Sequence, residues 1–202
     1  MNRFLQLPTD DRARAFEQTA TRRGLSPGSV EKDFWVCLML RELFTLPEHG
    51  EHLTFKGGTS LSKAFGLITR FSEDIDITVF RDDLGQATDV ADLDALSGKK
   101  RRARLDAIRS ACQAYIAGPQ MEQFAGVAAS VIRKARFRLE LDPEDKDGLA
   151  PLPRHPPAIA GDVSPRVASQ PRLGDRLRST REAVLRQHGF GTGHRKRLVR
   201  SR

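Results

Sequence analysis

Apolar residues recur with helical spacing along the first forty-five positions. The stretch opening at Thr9-Asp10 predicts a helix closed by Gly24, since glycine is the residue that most often follows a helix C-terminus. Ser26-Pro27 predicts a second start, with Ser as N-cap and Pro at the first helical position. Val30, Phe34, Cys37 and Leu38 keep one face apolar, Leu43 and Phe44 widen it, and Pro47 stops it. The period then changes. Residues 52–56 (HLTFK) read as a short strand, Gly57-Gly58 as a turn, and residues 59–67 (TSLSKAFGL) as a helix with Leu61, Phe65 and Ile68 facing inward. In residues 74–80 (DIDITVF), Ile75, Ile77 and Val79 alternate with Asp74, Asp76 and Thr78, the period of a strand with one buried face.

Residues 81–98 are acidic and loop-like. A long helix follows over about 99–117, with Leu105, Ile108, Cys112 and Ile116 on one stripe, and Gly118-Pro119 breaks it. Another helix reaches about Ser130. It precedes a second strand in which Phe137, Leu139 and Leu141 alternate with Arg138, Glu140 and Asp142. Beyond Asp142 the pattern decays. Six of the eleven prolines fall between 151 and 171, and the last forty residues hold no sustained apolar period. Low apolar content with high charge predicts a disordered tail over 151–202 that adds little to stability.

Charge sharpens that division. Residues 1–150 hold 22 Lys and Arg against 23 Asp and Glu, a net of −1, whereas residues 151–202 hold 12 against 3, a net of +9. The whole-chain excess of +8 therefore belongs to the last quarter. At 202 residues the chain accommodates one domain with a small appendage. Its longest apolar run, residues 34–40, falls far short of the roughly 20 residues that span a bilayer. The opening MNRFLQLPTDD has no signal-peptide character, and Cys37 and Cys112 sit at apolar helical positions. A cytoplasmic protein with buried free thiols is expected, without a membrane partner.

The candidate chemistry lies in residues 55–80, FKGGTSLSKAFGLITRFSEDIDITVF. Asp74 and Asp76 share one strand face, their Cα atoms about 6.6 Å apart at ~3.3 Å per residue. Carboxylates so spaced can hold hard divalent cations, and paired cations clamp the attacking and leaving oxygens of a phosphoryl transfer. Gly57 and Gly58 admit backbone N–H groups close to a phosphate, and the helix after them aims its positive end there. Thr59 and Ser60 offer hydroxyls, while Lys56, Lys63 and Arg70 offer positive charge. Singly, an Asp-x-Asp is ordinarily a solvated strand edge and a Gly-Gly an ordinary turn. The order strand, Gly-Gly, helix, Asp-x-Asp strand is what points to a magnesium nucleoside triphosphate. It is not a Walker loop, which would read Gly-x-x-x-x-Gly-Lys-Ser/Thr.

At these residues, GGTSLSK…RFSEDIDI, the chain resembles the AbiEii/AbiGii nucleotidyltransferase family of the polymerase-beta-like superfamily. Residues 30–44, VEKDFWVCLMLRELF, resemble the helix that precedes this signature, and the resemblance covers about residues 25–140. It implies an α+β fold: a small mixed sheet flanked by helices over residues 1–150, incomplete relative to the family, then a poorly ordered Pro/Arg-rich tail. It further implies a toxin encoded beside an antitoxin, which transfers nucleotides from an NTP with Mg2+, some relatives modifying the tRNA acceptor end. Asp74 and Asp76 become catalytic metal ligands, and Gly57, Gly58, Thr59, Ser60, Lys63 and Arg70 the nucleotide-binding segment. Family members are usually longer and carry a catalytic lysine and another acid further on. Here Glu140 is the candidate third carboxylate, with Arg138 beside it equally consistent with a salt-bridged face.

Two alternatives stand beside transfer. The chain is then a truncated, inactive remnant that keeps nucleotide binding, or a nucleic-acid-binding module using KKRRAR (99–104) and the basic tail. The tail contains one aromatic, Phe190, and its Arg, Pro, Gly and Ala content is also that of GC-rich sequence read out of frame.

Overall fold

The computed structural model describes residues 1–46, 53–67, 74–131, 138–145, 151–154, 157–161 and 166–172. Helix α1 (Asn2–Leu5) leads into α2 (Thr9–Arg23), which ends where Gly24 turns left-handed at φ 64°. In α3 (Pro27–Phe44) the Ser26 hydroxyl oxygen accepts from the Ser29 amide at 3.0 Å, the expected N-cap. Every residue from Trp35 to Leu40 is buried, so α3 is covered on all sides and forms the spine of the core. Phe4, Phe16 and Phe34 stack α1 and α2 against its first turns, with ring centroids 5.0–5.8 Å apart.

Strand β1 (Leu53–Lys56) runs directly into α4 (Gly57–Lys63), and β2 (Asp74–Phe80) follows. β1 pairs antiparallel with β2, Lys56 opposite Asp76. Ile75, Ile77 and Val79 point into the core as their alternation predicts, and Thr78 is buried as well, because β2 is central and covered on both faces. A 3-10 turn (Arg81–Leu84) and the short helix α5 (Val90–Ala95) occupy the stretch expected as loop. Helix α6 (Gly98–Tyr115) does not break at Gly118-Pro119. A π-helical turn (Ile116–Gln120) absorbs Pro119, whose missing N–H needs no partner there, and the chain continues into α7 (Met121–Val131). Ile108, Cys112 and Ile116 are buried as expected, while Leu105 is 41% exposed.

Two further differences concern the later chain. Strand β3 (Arg138–Leu141) pairs with β4 (Pro151–Arg154) in a separate two-stranded sheet, where Leu139 packs toward the core and Leu141 lies exposed. Strand β5 (Arg166–Arg172) joins β2 in parallel, giving a mixed sheet of order β1-β2-β5. The fold is thus the expected α+β arrangement of a small mixed sheet with helices around it, but it continues past residue 150. Val167 is fully buried in the core, and Pro171 is tolerated because β5 is an edge strand. Glu31 explains how that segment is held. Its carboxylate, completely buried on α3, accepts from the backbone amides of Ala158 (2.8 Å) and Ile159 (2.7 Å) and from Trp35 Nε1 (3.3 Å). Residues 173–202, Phe137, Ile68 and Pro47 lie outside the described residues.

Candidate nucleotide site

The site forms where β1 hands over to α4 beside the start of β2. Gly57 adopts φ 74°, and its Cα lies against the side chain of Asp76. A Cβ there would overlap Asp76 Oδ2 and stand 3.0 Å from Cγ. Glycine is therefore required twice, for backbone conformation and for room. Thr59 and Ser60, both buried, fasten the turn: Thr59 Oγ1 donates to the Asp74 carbonyl at 2.5 Å and Ser60 Oγ to the Gly57 carbonyl at 2.8 Å. Their hydroxyl protons thus point at backbone carbonyls, and what this turn can present to an anion is main-chain N–H.

Asp74 is exposed and Asp76 half-buried, on the same face of β2. Burial pushes the Asp76 carboxyl above its ordinary range; Lys56, across the strand pair, opposes that rise and Asp74 adds to it. Among the described residues, Lys56 is thus the cation whose charge bears on Asp76. Lys63 is engaged elsewhere, in an ion pair with Asp33 of α3, and both also bear on Cys37 beneath them. That thiol is raised to about 11, chiefly by burial, with Lys63 lowering it and Asp33 raising it. Arg70 lies outside the described residues.

The donor set suits a small hard cation. Magnesium is ordinarily held by one or two carboxylates together with phosphate oxygens and water, so Asp74 and Asp76 suffice when a nucleotide supplies the rest. Among the described residues, no three His, Cys, Asp or Glu side chains gather into a metal-ligating group. Glu140 is exposed on the other sheet, and the strands beside β2 set Lys56 opposite Asp76 on one side and Arg166 and Ala168 level with Asp74 and Asp76 on the other. Neither neighbouring strand contains an acid.

The basic cluster at 99–104 has a local task. Arg104 donates to Gln86 Oε1 (2.6 Å), the Ala87 carbonyl (3.1 Å) and Thr88 Oγ1 (2.6 Å), while Arg101 donates to the carbonyls of Leu93 (3.0 Å) and Asp94 (2.9 Å). Two of its arginines thus pin the acidic connection between β2 and α6, a use no spacing rule reveals. No helix among the described residues is long and apolar enough to cross a membrane.

Neither a curated protein nor a solved structure matches the chain. Residues 38–167 do match the family described as nucleotidyl transferase AbiEii toxin, type IV TA system, a span that runs from the core of α3 through the Gly57–Asp76 site and into β5. The chain belongs to the AbiEii nucleotidyl transferase toxin family of type IV toxin–antitoxin systems.

Proposed function

We propose that the chain binds a magnesium nucleoside triphosphate between the Gly57–Gly58 turn and the Asp74–Asp76 pair, and transfers its nucleotide to an acceptor hydroxyl. The observation that carries this reading is the contact of Gly57 with Asp76. It brings backbone donors and carboxylate oxygens to one point, where the phosphates of one ligand can meet both. In the reaction the acceptor oxygen forms a bond to the α-phosphorus, the bond to the pyrophosphate oxygen breaks, and the hydroxyl proton passes to a base. A bound magnesium supplies charge neutralisation for the pyrophosphate that leaves. The protein's own part is to hold the phosphates by main-chain N–H groups of the turn, with Gly58, Thr59 and Ser60 contributing amides, and to place Lys56 beside them. Lys63 and Arg70 complete the proposed nucleotide segment, Lys63 by exchanging Asp33 for a phosphate oxygen. The acceptor we propose is a tRNA end, in the cytoplasm, with the antitoxin encoded nearby.

A second reading is favoured by the absence of an acid from both strands beside β2: binding without transfer. One experiment separates them. Purified protein is incubated with each labelled NTP, magnesium and total tRNA, and both retained and transferred label are measured. Transfer that Asp76→Asn abolishes supports the enzyme. Retention without transfer supports the binding-only reading, and no retention of any NTP refutes both.

A further inference from the structure

Helix α4 holds the glycine turn, yet almost nothing apolar holds α4. Among residues 57–67, Ala64 is the single buried apolar side chain. Leu61, Phe65 and Leu67, of which Leu61 and Phe65 were expected to face inward, are 41%, 44% and 71% exposed. A seven-residue helix is far below the ~12–15 residues at which an isolated helix becomes even marginal in water. Polar ties therefore help to place it, alongside its direct continuation from β1. Three of them stay within α4 and its neighbouring strand: Thr59 to the Asp74 carbonyl, Ser60 to the Gly57 carbonyl, and Ser62 to the Thr59 carbonyl at 3.1 Å. A further tie, Lys63 to Asp33, reaches α3, with the two side chains 17% and 33% exposed.

We propose that Asp33 is a positioning residue for the Gly57–Gly58 turn, acting through its ion pair with Lys63 to fix α4 against α3. The inference rests on the proposed nucleotide site for its functional meaning, though not for its structural content. Asp33 sits one helical turn before Cys37, just ahead of the Trp35–Leu40 stretch of α3 that is buried throughout. Lys63 sits at the last residue of α4, at the far end from Gly57. Anchoring the free end of so short a helix restrains rotation of the whole of it, and any rotation would lift Gly57 from the Asp76 side chain. Both partners are largely withdrawn from water, so solvent screens their attraction less than at an open surface. In the unliganded chain Lys63 thus acts through position, and it reaches a phosphate oxygen by giving up Asp33.

Amide hydrogen exchange by NMR on the unliganded full chain tests this directly. Asp33→Asn is expected to speed exchange at Leu61 to Ala64 by roughly 3- to 30-fold, the range of couplings of this kind, while the thermal midpoint stays within about 2 °C of the parent. Asp33→Glu should restore most of the protection. The reciprocal exchange, Asp33→Lys with Lys63→Asp, should protect better than either single substitution. Unchanged exchange in Asp33→Asn overturns the proposal, as does a loss of protection spread evenly over the molecule. Calorimetry with Mg-ATP on the same proteins reads the site separately. A parent that fails to bind refutes the nucleotide reading while the exchange rates still decide the clamp. A reciprocal variant with α4 protected but binding lost supports both readings, with Lys63 and Asp33 clamping α4 in the unliganded chain and Lys63 holding a phosphate oxygen in the bound one.

Discussion

Substituting Gly57 by alanine isolates the contact on which the site depends. The positive φ alone costs an L-residue about 1–2 kcal/mol, and the stiffer unfolded chain returns about 0.4–1 kcal/mol. Gly24 and Gly85 share the positive φ, at 64° and 68°, but have nothing within 4 Å of the added methyl. Alanine at either should therefore cost about 1 kcal/mol. At Gly57 the methyl overlaps Asp76 Oδ2 and comes within 3.0 and 3.2 Å of Cγ and Cβ, so the carboxylate must swing aside or β2 must shift. Forced overpacking of this kind adds about 1–3 kcal/mol. The total for Gly57→Ala is then about 2–4 kcal/mol.

Urea unfolding followed by the emission of Trp35, the chain's one tryptophan and fully buried, measures all three variants on the same scale. The decisive comparison is a double-mutant cycle. In an Asp76→Ala background the two nearest obstructions are gone, and the extra cost of Gly57→Ala over Gly85→Ala should fall below about 1 kcal/mol. Equal costs at positions 57 and 85, or an excess at 57 that persists without the Asp76 carboxylate, would refute the reasoning. The first result would mean the turn and the carboxylate are not in contact.

Other outcomes follow from single groups. Asp76 has its folded-state pKa raised by burial, so the folded chain binds its proton more readily than the unfolded one, and its charge lowers stability as pH rises through that raised value. Asp76→Asn should therefore raise the thermal midpoint at pH 7, with the advantage shrinking as pH falls back toward the ordinary carboxylate range; an advantage that grows on acidification contradicts the assigned cause. Glu31→Ala leaves the Ala158 and Ile159 amides and Trp35 Nε1 without their acceptor and should cost about 3 kcal/mol or more, whereas Glu31→Gln retains an acceptor and should cost clearly less, both read by far-UV circular dichroism in urea. Glu140→Gln should leave any label transfer at the parent rate, since Glu140 is on a different sheet from the carboxylate pair; a loss of a hundredfold or more would show that the two sheets meet at the reacting centre.

Sequence periodicity located the helices of residues 9–44, with their Ser26 and Gly24 caps, because those signals are local and do not depend on distant partners. It also located β1 and β2, and with them the juxtaposition of the Gly-Gly turn and the Asp-x-Asp face. It located helix α4 but misassigned its inward face, where a small polar set, Thr59 and Ser60, is buried and the larger Leu61 and Phe65 are left largely outside. Burial there follows from hydrogen bonds to strand carbonyls, which hydropathy does not register. It missed β5 for a related reason. One buried valine and a parallel pairing across more than eighty residues leave almost no local trace, and the proline content argued the other way. The polar anchor of that region, Glu31, has partners 127 and 128 residues away, which no local pattern registers.

On the proposed reading, the arrangement around β2 separates holding a nucleotide from reacting with it. The Asp74–Asp76 strand has neighbours on both edges, and the charged residues they set level with the pair are Lys56 and Arg166. On the proposed reading, the Lys56 ammonium opposite Asp76 favours a triphosphate there, because it offsets phosphate charge that two carboxylates would otherwise repel. A protonated ammonium at that position does nothing to accept the acceptor's proton. A chain selected for fast transfer would be expected to place an acid where Ala168 stands level with Asp76. If the proposed site binds Mg-NTP, ground-state binding and transition-state stabilisation would draw on different residues, so the affinity for Mg-NTP is expected to exceed what the rate of transfer alone would call for.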